Sequence, residues 1–325
     1  MTAGVSRLLL PTLLLLALAS LCASLLSGSV PVSLEQLWQP HTPGGQIVWA
    51  LRLPRAATAF TCGALLAVAG TLMQVLLRNP LADPYVLGVS GGASVGALLA
   101  LMAGAGSLLL QGAAFGGALL STLLVFVLAH GRGSWNPGRL LLTGVVLAAG
   151  WGALISLLLS LGPDTGLRGM LFWLMGDLSQ AQWPWWGLLV LVAGLALVLP
   201  QSRALNLLIN GDDQAAALGV AVARLRSLIY LLASLLTAGA VTLAGNIGFI
   251  GLIVPHLLRL LGARDHRLLL PAGVLLGGSL LTLADTLART VLAPRQLPVG
   301  VLTALIGVPL FLLLLHRNRE VRVYG

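Results

Sequence analysis

Ala56-Ala57-Thr58-Ala59-Phe60-Thr61-Cys62-Gly63-Ala64-Leu65-Leu66-Ala67-Val68-Ala69-Gly70-Thr71-Leu72-Met73-Gln74-Val75-Leu76-Leu77 runs without a charge, closed by Arg55 on one side and Arg78 on the other. At about 1.5 Å of rise per residue, a helix of this length reaches about 33 Å and matches the roughly 30 Å hydrocarbon core of a bilayer. Its residues are apolar or small all the way round rather than along one stripe, so neither face is built for water. Nine further apolar runs lie near 8–27, 85–105, 107–129, 140–161, 184–200, 227–245, 247–261, 268–288 and 299–316, with the charges gathered in the gaps. The sequence therefore predicts an all-α polytopic membrane protein with ten transmembrane helices, forming a single domain over residues 1–325.

Composition points the same way. Hydrophobic residues make up 58% of the chain and charged residues 8%, with a mean hydropathy of +0.99, which leaves a soluble domain of 325 residues too little polar surface. In the first run, Ala17-Leu18-Ala19 resembles a signal-cleavage site, but the run continues to Leu26, which favours a retained helix. Many spans carry glycines at small-xxx-small spacing, such as Gly88 with Gly92, Gly92 with Gly96, Gly112 with Gly116 and Gly273 with Gly277, a pattern that lets helix backbones approach closely.

All 18 basic residues are arginine. Without a lysine the chain cannot contain the G-x-x-x-x-G-K-[ST] phosphate loop, so any use of ATP and its Mg falls to a separate subunit. The arginines sit singly at span ends rather than in an aromatic-laced basic stripe, which argues against nucleic acid and for a lipid bilayer partner. Ten spans put both termini on one side. Thirteen arginines fall in the gaps and ends of that side, against Arg52, Arg55, Arg168, Arg289 and Arg295 on the other, so the positive-inside rule places both termini in the cytoplasm. Cys22 and Cys62 lie inside apolar runs, and the histidines lack metal-ligand spacing, so neither a disulfide framework nor a metal site is expected.

Several segments between spans stand out. Asn210-Gly211-Asp212-Asp213-Gln214-Ala215-Ala216-Ala217-Leu218-Gly219 reads as a short helix, with Asp212 suited to the N-cap and Gly219 to the left-handed stop. Such a helix is marginal alone, so it either lies on its own membrane domain or serves as a peg for a cytoplasmic partner. On the outer side, Arg52-Leu53-Pro54-Arg55 is expected at the mouth of the second span and Arg289 at the end of the ninth. These arginines either snorkel to lipid phosphate or form a cationic platform for an acidic partner. Asp285, one turn before Arg289, offers that residue an internal pair.

The linker Asn79-Pro80-Leu81-Ala82-Asp83-Pro84 makes a stiff re-entry into the membrane. Gly88-Val89-Ser90-Gly91, with His256 in a later span, matches the pattern of an intramembrane serine protease, a weak signal in a glycine-rich chain. The stretch from Pro163 to Trp186 concentrates Trp173, Trp183, Trp185 and Trp186, first of all as an interfacial belt and second as an entrance for a planar substrate.

Taken together, Arg52-Leu53-Pro54-Arg55, the segment from Gln74 to Ser90, and Gly248-Phe249-Ile250-Gly251-Leu252-Ile253-Val254-Pro255-His256 resemble the permease family of type II ABC importers for vitamin B12, haem and ferric siderophores. The similarity extends from about residue 45 to 316. It implies a homodimer in the bacterial inner membrane with two ATP-binding cassette ATPase subunits beneath it and a periplasmic substrate-binding protein above. It also implies a non-enzymatic subunit that binds no cofactor itself. By position, Gly211, Asp212, Asp213, Ala215, Ala216, Leu218 and Gly219 match the family's ATPase-coupling helix. Arg52, Arg55 and Arg289 match the arginines that dock the binding protein, and Asn79 and Leu81 match the cytoplasmic gate region. Haem is the favoured cargo by overall pattern, with ferric siderophore and cobalamin as alternatives. A self-contained, ion-gradient-driven carrier is the rival from another class. Such carriers expose acidic or histidine relays, whereas Asp285 is the one carboxylate in the interior of a long apolar run here.

Overall fold

The computed structural model describes residues 3–28, 30, 32–33, 35–129 and 137–323. Within them the chain forms fourteen α-helices and no strand: α1 (Ala3–Leu26), α2 (Pro43–Gln46), α3 (Leu53–Leu76), α4 (Val89–Met102), α5 (Ser107–Ala129), α6 (Pro137–Leu161), α7 (Asp164–Leu174), α8 (Trp185–Val198), α9 (Ser202–Leu208), α10 (Asp212–Ala217), α11 (Val222–Ala244), α12 (Ile250–Leu260), α13 (His266–Thr290) and α14 (Val299–Val323). Arg132, one of the thirteen arginines of the topology reading, and His130, one of the histidines weighed as metal ligands, fall outside the described residues.

Seven helical stretches are long and apolar enough to cross a membrane, and three shorter apolar helices, Val89–Met102, Ile250–Leu260 and Val299–Leu313, accompany them. Each falls on one of the ten apolar runs of the sequence, seven with the length for a full crossing and three too short for one. Val89–Met102 is shortened because its run opens with a 3-10 turn, Pro84–Leu87, and then Gly88 in the left-handed region at φ 69°. The Asp83 side chain caps that turn by accepting the Tyr85 N–H at 2.7 Å. Ile250–Leu260 starts late because Gly245 and Phe249 both take positive φ, at 70° and 72°.

The second span differs in the other direction. Helical backbone is continuous from Pro43 to Leu76, passing through a π-turn at Ile47–Arg52. Arg52-Leu53-Pro54-Arg55 therefore lies within the helical path rather than in a loop at its mouth. Pro54 is tolerated there because it occupies the first turn of α3, where an N–H is dispensable.

α3 is the axis of the molecule, with 94% of its apolar window buried. Glycine brings its neighbours to backbone contact. A Cβ on Gly63 would stand 2.1 Å from the Gly277 carbonyl of α13, and one on Gly70 would stand 2.0 Å from the Gly251 carbonyl of α12. α4 and α5 form a hairpin that closes similarly, with Gly92 against Gly117 and Gly96 against Ala113. Gly112 and Gly116 have open space beside them, so that predicted pair is not a contact within the chain. α1 lies on the bundle through Leu9, Leu13 and Ala17, all buried. At the opposite extreme stands α6, of whose apolar window 11% is buried.

Candidate coupling and docking sites

α3 has 24 residues, so its two ends stand about 36 Å apart and carry different parts of the candidate site. At the end near Leu76 the chain leaves α3 through Arg78, which takes a left-handed φ of 48°. Asn79 follows and folds the linker on itself, its Oδ1 accepting the Leu81 N–H at 2.9 Å while its own N–H donates to the Gln74 carbonyl at 3.1 Å. Leu81 is 41% exposed. Burial pushes the Asp83 carboxyl up to about 6, against the lowering effect of the Tyr85 N–H.

The short α10 helix stands beside this linker. Its N-cap is Gly211, at φ 127°, rather than Asp212. Asp212 is the first helical residue, and it turns sideways to accept the Arg226 Nη2 hydrogen at 2.8 Å, with Arg78 Nη1 4.0 Å away. Gly219 takes φ 84° and stops the helix, its N–H bonded to the Ala216 carbonyl at 2.9 Å, as the sequence predicts. The helix lies on its own bundle by one face. Ala215 is fully buried against the bundle, while Asp213, Ala216 and Leu218 face outward, Leu218 being 66% exposed.

The preceding helix, α9, is tied separately to the start of α13. Asn206 Nδ2 donates to Asp265 Oδ1 at 2.8 Å, and the Asn206 Oδ1 accepts the His266 N–H at 3.1 Å. Asp265 caps α13 through the Arg267 N–H, and that bond holds its carboxyl below the ordinary range, with the Asn206 amide adding to the effect.

At the far end of α3 and α13 the three outer arginines converge. Arg55 grips Asp285 by its Nε (3.0 and 3.1 Å) and Nη2 (2.8 Å), while its Nη1 donates to Gln296 Oε1 at 2.7 Å. Arg289 Nε stands 3.7 Å from the same carboxylate, and its Nη2 donates to the carbonyl and hydroxyl of Ser24. Arg52 donates to the carbonyls of Leu25 (2.7 Å), Leu26 (2.9 Å) and Val30. Two arginines therefore satisfy the orphan carbonyls at the C-terminus of α1, where the helix dipole also favours cations. Asp285 is fully buried and pairs mainly with Arg55, 230 positions away, more closely than with its helical neighbour Arg289. A cavity of about 270 Å³ opens over this cluster, with Arg52, Arg55 and Arg289 all in its wall.

A second outer cavity, of about 580 Å³, has Trp173, Phe172 and Arg168 in its wall, with Arg168 over the Phe172 ring at 5.4 Å. Of the aromatic stretch, Trp173 alone among the tryptophans lines it; Trp183 and Trp185 stack on one another, and Trp186 bonds Gln111. Ser90 sits on the first turn of α4, and His256 lies in α12 with its ring edge-on to Phe311. Among the described residues no three His, Cys, Asp or Glu side chains gather at metal-binding distance.

The FecCD transport family matches residues 14–317. The chain belongs to this family. Over 332 residues this FecCD chain is 42% identical to the hemin transport system permease protein HmuU of Yersinia pestis, covering 97% of each. It is also 41% identical over 320 residues to the vitamin B12 import system permease protein BtuC of Escherichia coli O9:H4, covering 96% of this chain and 94% of that one. A solved structure described as an inward-facing conformation of a "metal-chelate type ABC transporter" superposes with a TM-score of 0.85 at 33% identity, over 96% of this chain and 99% of the other. The FecCD chain is thus an ABC transporter permease of the metal-chelate class, a membrane subunit and not itself an enzyme. Arg226, Ser24 and Gln296 complete the two clusters of this FecCD protein, and sequence reasoning about its sites missed all three.

Proposed function

We propose that this chain is one half of a homodimeric, ten-span permease that passes a metal chelate, haem by preference, from periplasm to cytoplasm. The observation that carries the permease reading is full-length similarity to metal-chelate permeases, among them the hemin permease at 42% identity over 97% of both chains, and the preference for haem rests on overall sequence pattern. The arginine asymmetry supports cytoplasmic termini, and membership of the FecCD family supports an inner-membrane location. A retained α1 is supported by its packing and by the two arginines on its last carbonyls. The thin cover of α6 within the chain supports a second copy as its neighbour.

Two ATPase subunits act on the inner end. ATP itself and its Mg stay on those subunits, and α10 is the contact that reads their state. Its outward face offers Asp213, Ala216 and Leu218, and its inward face locks on Ala215. A change of ATPase contacts biases the permease only in so far as α10 binds differently in the two states. Asn79 and Leu81 stand at the inner mouth beside α10, where such a bias opens or closes the path.

At the outer end the cavity walled by Arg52, Arg55 and Arg289 receives acidic residues of the periplasmic binding protein. Three cations against one buried carboxylate leave an unbalanced positive site, and arginine forks suit carboxylates. Because all three are largely turned inward, the platform is the floor of a cavity rather than a projecting patch. The same Asp285 weakens the gradient-carrier reading, since a carboxylate held by two arginines is not a free relay group.

The test is uptake into proteoliposomes containing the permease, its ATPase and its binding protein, supplied in turn with haem, a ferric siderophore and cobalamin. ATP-dependent uptake of haem above the other two is expected. Uptake by the permease alone, driven by an ion gradient, would refute the assignment.

A further inference from the structure

Force applied to a six-residue helix dissipates unless the helix is fastened to a span, and fastenings therefore matter as much as the contact face. α10 has a few apolar contacts through Ala215, and its closest charged fastening is Asp212 to Arg226 at 2.8 Å. The two partners are unequally exposed. Asp212 keeps 37% of its side-chain surface, whereas Arg226, on the second turn of α11, is 2% exposed. A guanidinium so enclosed is a fixed post: moving it means moving α11. The joint also touches the gate linker. Arg78 Nη1 stands 4.0 Å from the same Asp212 oxygen, one residue before Asn79.

We infer that Arg226 is a positioning residue of transport: through Asp212 it makes α10 and α11 one rigid lever, so that the displacement imposed on α10 reaches the membrane as tilt of α11. This rests on α10 being the ATPase contact. α11 packs along α3, α5 and α8, with Leu236 closing on Gly194 of α8, so a tilt that starts at Arg226 is felt across the bundle. The long guanidinium stem is required because the post stands at the start of α11 while its partner is on the neighbouring helix. The charge matters because Arg226 is enclosed, and a charge-assisted hydrogen bond from an enclosed guanidinium to a carboxylate is screened less than one between exposed groups.

The experiment uses the complete complex in proteoliposomes and reads uptake, ATP hydrolysis and their ratio. Wild type must first show ATP-dependent uptake; without it the functional assignment fails, and the lever is not at issue. Arg226→Met is expected to keep ATP hydrolysis while uptake per ATP falls about tenfold, within the usual range for a coupling between sites. Arg226→Lys should retain part of the ratio. Should Arg226→Met fail to assemble, Asp212→Ala, which alters the more exposed partner, carries the same expectation. The exchange Asp212→Arg with Arg226→Asp should recover most of the ratio. A normal ratio in either single variant overturns the inference, and so does an exchange that restores nothing when both singles are uncoupled.

Discussion

Replacing Asp285 by alanine should destabilise the outer half of the permease more than any other single change of charge. The carboxylate is fully buried and is held by Arg55 through three contacts of 2.8 to 3.1 Å and by Arg289 at 3.7 Å. Removing one partner of a buried ion pair leaves an uncompensated charge and costs about 3–5 kcal/mol, and here two guanidinium groups lose their acid at once. Against a typical total stability of about 5–15 kcal/mol, that is a large fraction. The measurement is the unfolding midpoint of the purified permease in one fixed lipid nanodisc composition. Asp285→Ala should lower it by several degrees, and Asp285→Asn, which keeps an acceptor, by less. Adding Arg55→Met to Asp285→Ala should give back part of the loss, because it removes a stranded cation. An unchanged midpoint in Asp285→Ala, or strict additivity in the double variant, would refute the account of Asp285 as the keystone of this cluster.

Four further expectations concern other parts of the molecule. Asp213→Arg combined with Ala216→Trp alters the outward face of α10 while leaving Ala215 in place, so the permease should stay folded while uptake per ATP collapses by about tenfold or more; retained coupling would show that α10 is not the transmission element. Gly63→Val places side-chain atoms where the Gly277 carbonyl already stands 2.1 Å from a built Cβ and should abolish folded yield in size-exclusion chromatography, whereas Gly112→Ala, with open space beside it, should be silent. Arg55→Glu should weaken association with the binding protein most strongly at low salt, as read by surface plasmon resonance across ionic strengths; a salt-independent affinity equal to wild type would remove the cavity from the docking account. Burial raises Asp83 to about 6, so the fold resists its ionisation: stability should fall as pH rises from about 4 through about 6 and then level. Asp83→Asn should lack that component of the decline, and parallel pH profiles would contradict it.

What could be read from residues alone followed the strength of each local signal. Uninterrupted apolar runs marked the spans, because no other arrangement of such residues is compatible with water. Asn210 to Gly219 also declared itself, by its acidic start and glycine stop, although Asp212 was misread: its side chain spends its acceptor on Arg226, so Gly211 is left to open the helix. α7 was missed within a segment read as an aromatic belt or a substrate entrance. Its signal existed, since Leu167, Met170, Leu171 and Leu174 recur at helical spacing behind Pro163 and Asp164. The outer charge of Arg52, Arg55 and Arg289 was legible, and so was the pairing of Arg289 with Asp285 one turn away, but the other partners were not. Ser24 lies 265 positions from Arg289, and Asp285 and Gln296 lie 230 and 241 positions from Arg55, and no periodicity in one stretch of sequence encodes such a meeting. Arg226 was hidden for a different reason: an arginine at an inner span end is what the topology rule already expects, so its second role left no trace.

The glycine contacts along α3 have a mechanical corollary. Gly63 and Gly70 are seven positions apart and press on different helices, α13 and α12, with carbonyl oxygens where side chains would otherwise begin. A rod pinched at two heights from two directions can neither spin nor slide past its neighbours without collision. Any tilt imposed on α11 therefore has to leave the register of α3 against α12 and α13 intact, so these three helices travel, or stay, as one body.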